Sequence, residues 1–195
     1  MSRAQTNLQA GLKGRSGGPG TSRFAAKATA HGTGTVSPKP DLKARSFGWF
    51  KPTEEGFVSL YKAPALTQVE WVKGGVGARD AKTILGQLRV PQGEALTALQ
   101  IPVATVNRKA KTNAPLSTAE SERVLGFGRL LGQLQAMVRE AGNPDGFDAP
   151  AWLSAWMGAP VPALGGVRPL DLMDTMTGQA LVSQVLAQMQ SGAYA

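Results

Sequence analysis

Side chains able to do chemistry are sparse in this chain, and their types favour binding over bond-making. Its 195 residues include no cysteine and a single histidine. His31 lies in a Gly/Thr-rich tract without a companion at metal-ligand spacing, so no nucleophile–histidine pair and no His- or Cys-based metal site is expected. Asp171 and Asp174 stand three apart in a short helical run and can be imagined as an acid–base pair. The stronger reading is structural: carboxylates near a helix start meet unpaired N–H groups and the positive end of the dipole. Gly74-Gly75-Val76-Gly77 lacks both the Gly-Lys-Ser/Thr ending and the Gly-x-Gly-x-x-Gly spacing of phosphate loops, and reads as a turn between helices. No catalytic residue, cofactor, metal or small-molecule substrate is therefore assigned. What remains is a basic cluster, Arg108, Lys109 and Lys111, interleaved with Thr105 and Thr112. Such cations bind phosphates, and Arg108 is also able to read a guanine edge with two hydrogen bonds.

Those side chains need an element to present them together. Residues 102–112 read as a helix opened by Pro102, with Val103, Val106 and Ala110 facing inward. Thr105, Arg108, Lys109 and Thr112 then fall on the opposite side. Residues 92–99 form a preceding short helix, joined by a tight turn. A helix-turn-helix needs this division between a packed face and one that enters the major groove. An ordinary surface helix with a solvated basic face has the same pattern, and spacing alone does not choose between them.

The surrounding elements are also helical. Residues 47–60 form an apolar entry segment that packs on the following domain, and residues 65–72 and 79–88 read as helices. A long helix over 117–141 is opened by the capping-box spacing of Ser117 and Glu120 and ended by Gly142-Asn143-Pro144. Its apolar stripe, Val124, Phe127, Leu131, Leu134 and Val138, reads as core or as a link packing both domains together, not as a cofactor box. Asp148 can cap a helix with Pro150 in its first turn and Trp152 and Trp156 on one face. The two tryptophans serve either as core anchors or as hot spots for a partner. Gly165-Gly166 and Pro169 make a tight turn, and Thr175 caps a last helix with Val182, Val185, Leu186 and Met189 on one side.

Charge is unevenly spread. Residues 1–50 hold eight basic and one acidic side chain, whereas residues 140–195 hold one and five. A basic front and an acidic rear suggest two different partners, the first a polyanion; a merely solubilising tail is the alternative. Residues 1–45, rich in Gly, Ser, Thr, Ala and Lys/Arg, carry too little apolar surface to fold and read as a disordered basic tail. No apolar run is long enough to span a bilayer, and the N-terminus lacks the apolar core of a signal peptide, so a cytoplasmic location is expected.

The end of the chain carries a more specific signal. It reads Trp152-Leu153, Pro162-Ala163-Leu164-Gly165-Gly166, Arg168-Pro169-Leu170-Asp171-Leu172 and, last, Gly192-Ala193-Tyr194-Ala195. This order of motifs, over roughly the last third of the chain, resembles the C-terminal toxin-binding domain of the Xre/MbcA/ParS-like antitoxins. Upstream, Ile101-Pro102, Thr105 and Arg108 resemble the turn and second helix of that family's helix-turn-helix, although Gln100 stands where glycine is frequent. The resemblance implies an all-α protein: a tail (1–45), an Xre-like helix-turn-helix and dimerisation domain (46–116), a connecting helix (117–141) and a small helical toxin-binding domain (142–195). It implies a type II antitoxin whose partner is a RES-domain toxin that consumes NAD, neutralised by occlusion of its active site. Trp152, Trp156, Leu164, Gly165, Gly166, Arg168, Gly192, Tyr194 and Ala195 would then touch the toxin. Thr105, Arg108, Lys109, Lys111 and Thr112 would bind operator DNA, as part of a homodimer. Two rivals stand beside this reading: a stand-alone helix-turn-helix regulator, and an antitoxin whose helix-turn-helix only dimerises.

Overall fold

Helix starts written into the sequence set the order of elements. In the computed structural model, which describes residues 50–142 and 146–190, helices and turns succeed one another. Among those residues there is no strand, and the one extended pairing is an isolated antiparallel bridge between Gly77 and Pro115. Helix α1 (Glu54–Lys62) is capped by Thr53, whose hydroxyl accepts from Gly56 N at 3.2 Å, with Glu54 and Glu55 at the positive end of the dipole. Helix α2 (Ala65–Gly74) follows Pro64 and stops at Gly75, whose φ of 80° suits glycine. Helices α3 (Ala78–Gly86), α4 (Gln92–Ala98) and α5 (Val103–Ala110) come next, the last two directly behind Pro91 and Pro102. The expected capping box is present on α6 (Thr118–Glu140): Ser117 Oγ accepts from Glu120 N at 3.2 Å, and Ser117 N donates to Glu120 Oε2 at 2.7 Å. Asp148 caps α7 (Ala149–Gly158) through Ala151 N, at 2.9 Å. Two short 3-10 turns, Pro162–Leu164 and Pro169–Leu172, lead to α8 (Met176–Gln190), where Thr175 Oγ1 accepts from Gly178 N at 3.0 Å.

Helix α6 is the axis on which α1, α2, α3, α7 and α8 all pack. Its expected stripe is present, with Val124, Phe127, Leu131 and Leu134 buried and Val138 half-buried. The burial goes further than one stripe, because Leu125, Gly126, Gly128, Leu130, Gly132, Gln133 and Ala136 are buried as well. Glycines make the enclosure possible. A Cβ on Gly132 would stand 1.9 Å from the Phe57 carbonyl oxygen, and one on Gly128 would stand 2.8 Å from Leu60 Cδ2, so α1 lies against bare α6 backbone. On another side, a Cβ on Gly126 would fall 1.7 Å from Gln179 Oε1 of α8. One hydrophobic core results, running from Phe57 and Leu60 through Ile84, Leu96, Val106 and Phe127 to Leu153, Leu170 and Leu186.

One inward face is corrected. Val103, expected to join Val106 and Ala110 on the core side of α5, is 38% exposed, Ala110 is half-buried, and Val106 alone is fully buried. The helix begins at Val103, so that residue lies beside the turn rather than over the core. No helix among the described residues is long and apolar enough to cross a membrane.

Candidate functional site

The α4–turn–α5 unit is held by residues from elsewhere in the chain. At the end of α4, Gln100 N donates to Thr97 O and Ile101 N to Leu96 O, both at 2.8 Å, and buried Ile101 pins the turn to the core. Gln100 itself has φ of 50°, the left-handed region, where a side chain costs ~1–2 kcal/mol. The turn therefore keeps the conformation a glycine would give it, although glycine is absent. Arg123 of α6 supports it, Nη1 donating to Leu99 O at 2.8 Å and to Gln100 O at 3.4 Å. Gln100 Nε2 donates to Asp174 Oδ2 at 2.9 Å.

Along α5, Arg108, Lys111 and Thr112 are exposed, whereas Thr105 is half-buried instead of standing on the outer face. Lys109 turns toward its own protein: its side chain is 21% exposed and its Nζ lies 3.4 Å from Glu120 Oε2. Burial pushes the Glu120 carboxyl up. The Ser117 N–H and hydroxyl and the Lys109 ammonium outweigh that and leave it below the ordinary 4.5. The far end of α5 is gripped by α3: Arg79 Nε donates to Ala110 O at 2.7 Å and Nη2 to Lys111 O at 2.8 Å. Lys82 Nζ reaches Asn107 Oδ1 at 3.2 Å. Sequence spacing missed Arg79, Lys82 and Arg123, since nothing local to α5 marks cations that arrive from α3 and α6.

The second surface is aromatic. Trp152 and Trp156 stack with ring centroids 5.9 Å apart and planes 13° from parallel. Both are half-buried and packed on the core, so anchoring inward and presenting a face outward are combined in one pair. Phe147, 38% exposed, lies 6.3 Å from Trp152. Beside them opens an apolar cleft of about 330 Å³ lined by Leu134, Met137, Val138, Phe147, Trp152, Leu186 and Met189. Phe147 and the α6 side of this cleft escaped sequence reasoning, which treated α6 as a connector.

The remaining C-terminal candidates divide. Leu164 is buried and belongs to the core, while Gly165 and Gly166 are exposed with φ of 68° and 80°. Their turn is closed by Gly166 N donating to Val161 O at 3.0 Å. Arg168 is exposed and grips Asp171 with two bonds, Nε to Oδ2 at 2.9 Å and Nη2 to Oδ1 at 2.7 Å, which holds the Asp171 carboxyl below its usual range. Asp171 and Asp174 thus serve different partners and form no acid–base pair. Gly192, Tyr194, Ala195, the 1–45 tail and His31 lie outside the described residues.

Known proteins match both halves of the described chain. Residues 133–192 match the family described as the antitoxin Xre/MbcA/ParS C-terminal toxin-binding domain, and residues 68–129 match the antitoxin Xre-like helix-turn-helix domain. Over 139 residues, 71% of this chain and 87% of the relative, the chain is 54% identical to the Prs ADP-ribosylating antitoxin of Sphingobium sp. (strain YBL2). It is 27% identical over 157 residues to an antitoxin Xre of Yersinia enterocolitica, covering 80% of this chain and 96% of that one. An antitoxin Xre of Pseudomonas putida is 24% identical over 92 residues, 47% of this chain and 52% of the relative. With a helix-turn-helix domain followed by a toxin-binding domain, and with these relatives, the chain belongs to the Xre/MbcA/ParS family of type II antitoxins.

Proposed function

We propose that this antitoxin neutralises a RES-domain, NAD-consuming toxin in the cytoplasm by covering its active site, and binds the operator of its own operon as a homodimer. The observation that carries the reading is the separation of two unlike surfaces: exposed Arg108 and Lys111 at the end of α5, and the cleft beside Phe147 and Trp152, backed by the stacked Trp156, in the toxin-binding domain. An aromatic, half-desolvated cleft is suited to a partner's apolar anchor. The name of the Sphingobium relative favours NAD chemistry, because ADP-ribosylation takes its ADP-ribose from NAD and releases nicotinamide. The terminal residues Gly192, Tyr194 and Ala195 are the proposed plug. Deleting residues 192–195 should leave the helical fold and toxin binding in place while restoring NAD consumption in the mixture. Inhibition as strong as that of the full chain would remove the plug.

For the operator, Arg108→Ala and Lys111→Ala should each weaken binding and lower the slope of log affinity against log salt by about one. Unchanged affinity and slope would leave the helix-turn-helix a dimerisation device. Lys109, paired with Glu120 inside the chain, is not expected to add a phosphate contact. Support for a second copy comes from α2, which buries none of its residues and leaves Leu66 80% exposed.

A further inference from the structure

The turn that leads into α5 is closed by a ring of contacts that passes through the other half of the protein. Gln100 O accepts from Arg123 Nη1 at 3.4 Å, and Arg123 O accepts from Gln179 Nε2 at 3.3 Å. The same Gln179 nitrogen donates to Met173 O at 2.9 Å, and Met173 is fully buried. Its neighbour Asp174 returns the ring to its start, accepting from Gln100 Nε2 at 2.9 Å. Asp174 and Gln179 lie within the matched toxin-binding domain, while Gln100 and Arg123 lie within the helix-turn-helix.

We propose that Asp174 is a positioning residue for operator binding, acting through Gln100 from the toxin-binding half. The inference rests on the proposal that α5 binds operator DNA. Gln100 sits at φ 50°, where L side chains are disfavoured, so the turn needs external contacts to hold it. Two are present: Arg123 takes the turn's carbonyls, and Asp174 takes the Gln100 carboxamide. The angle at this residue fixes where α5 begins and how Arg108 and Lys111 are aimed. Asp174 is tied to Gln100, so its contribution to DNA binding is indirect.

The test uses the full chain and a fluorescently labelled duplex from the promoter region of its own operon, read by anisotropy at several salt concentrations. Asp174→Ala should weaken binding about threefold with the salt slope unchanged, since one hydrogen bond and no phosphate contact is lost. Asp174→Asn keeps an acceptor oxygen and should restore binding. In a Gln100→Gly background, where the turn needs no support, adding Asp174→Ala should change affinity by less than about 1.5-fold. This comparison is internal, so a general loss of folding by Asp174→Ala appears in both backgrounds. An equal loss in both backgrounds, or no loss in the first, overturns the positioning role while leaving operator binding standing. Failure of the wild-type chain to bind the duplex removes the operator reading and the positioning role together.

Discussion

The Glu120 carboxylate closes the α6 capping box and holds Lys109 at the same time, so its charge state matters to two elements. Its carboxyl lies below the ordinary 4.5 in the folded chain. A depressed carboxyl adds stability above the unfolded value, and that stability is lost as pH falls through the folded one. Stability should therefore decline below about pH 4.5, through the range in which Glu120 takes its proton. Glu120→Gln keeps a capping-box side chain but does not titrate. Urea midpoints measured between about pH 3 and pH 7 should fall less steeply for that variant than for the wild type. The capping box itself was legible from Ser117 and Glu120 alone, because its partners are three residues apart. The inward turn of Lys109 was not, because helical spacing gives a direction around one axis and says nothing of the carboxylate that waits on the next helix. The same limit hid the Arg79 and Arg123 contacts to α5 and its turn, which join residues 23 to 32 positions apart.

Helices were found from caps and breakers, and the helix pair at 92–98 and 103–110 was placed to within a residue or two of its expected limits. What the pattern did not yield was how closely they approach. In a helix, glycine reads as a poor helix former, yet Gly128 and Gly132 are where α1 meets α6 backbone. Gly132→Ala would drive a methyl into the Phe57 carbonyl and should cost about 1–3 kcal/mol or more, seen as a lower urea midpoint with helicity largely kept. Gly93, within α4, has open space around its missing Cβ and no positive φ. Gly93→Ala should raise stability by ~0.5–1 kcal/mol in the same assay. Opposite signs for two glycines of one protein separate close approach from mere helix propensity, and a destabilising Gly93→Ala would count against that distinction.

For the molecule as a whole, the basic front and acidic rear were visible from composition, and the two matched domains follow that order. The α6 stripe, legible as core or as a link packing both domains together, is the wall shared by both halves; how much of the rest of the helix is buried was less visible. Ion pairs at the surface, Lys62 with Glu140 at 3.3 Å and Arg139 with Glu54 at 2.6 Å, join α6 to α1, and their exposure makes each worth little. The two proposed partners should respond to salt differently. Operator binding through exposed cations should weaken steeply with ionic strength, whereas toxin binding through the apolar cleft should change little and show a negative heat-capacity change. Titration calorimetry with each partner at two salt concentrations checks this, and an equally steep salt dependence for the toxin would point away from the cleft. The shared core also bears on turnover in the cell. Helix α6 spans the junction between the two domains and is buried over most of its length, so the halves are expected to unfold as one cooperative unit. A protease that unravels this chain from either end would then destroy both surfaces in one event, so the proposed operator and toxin contacts are lost together.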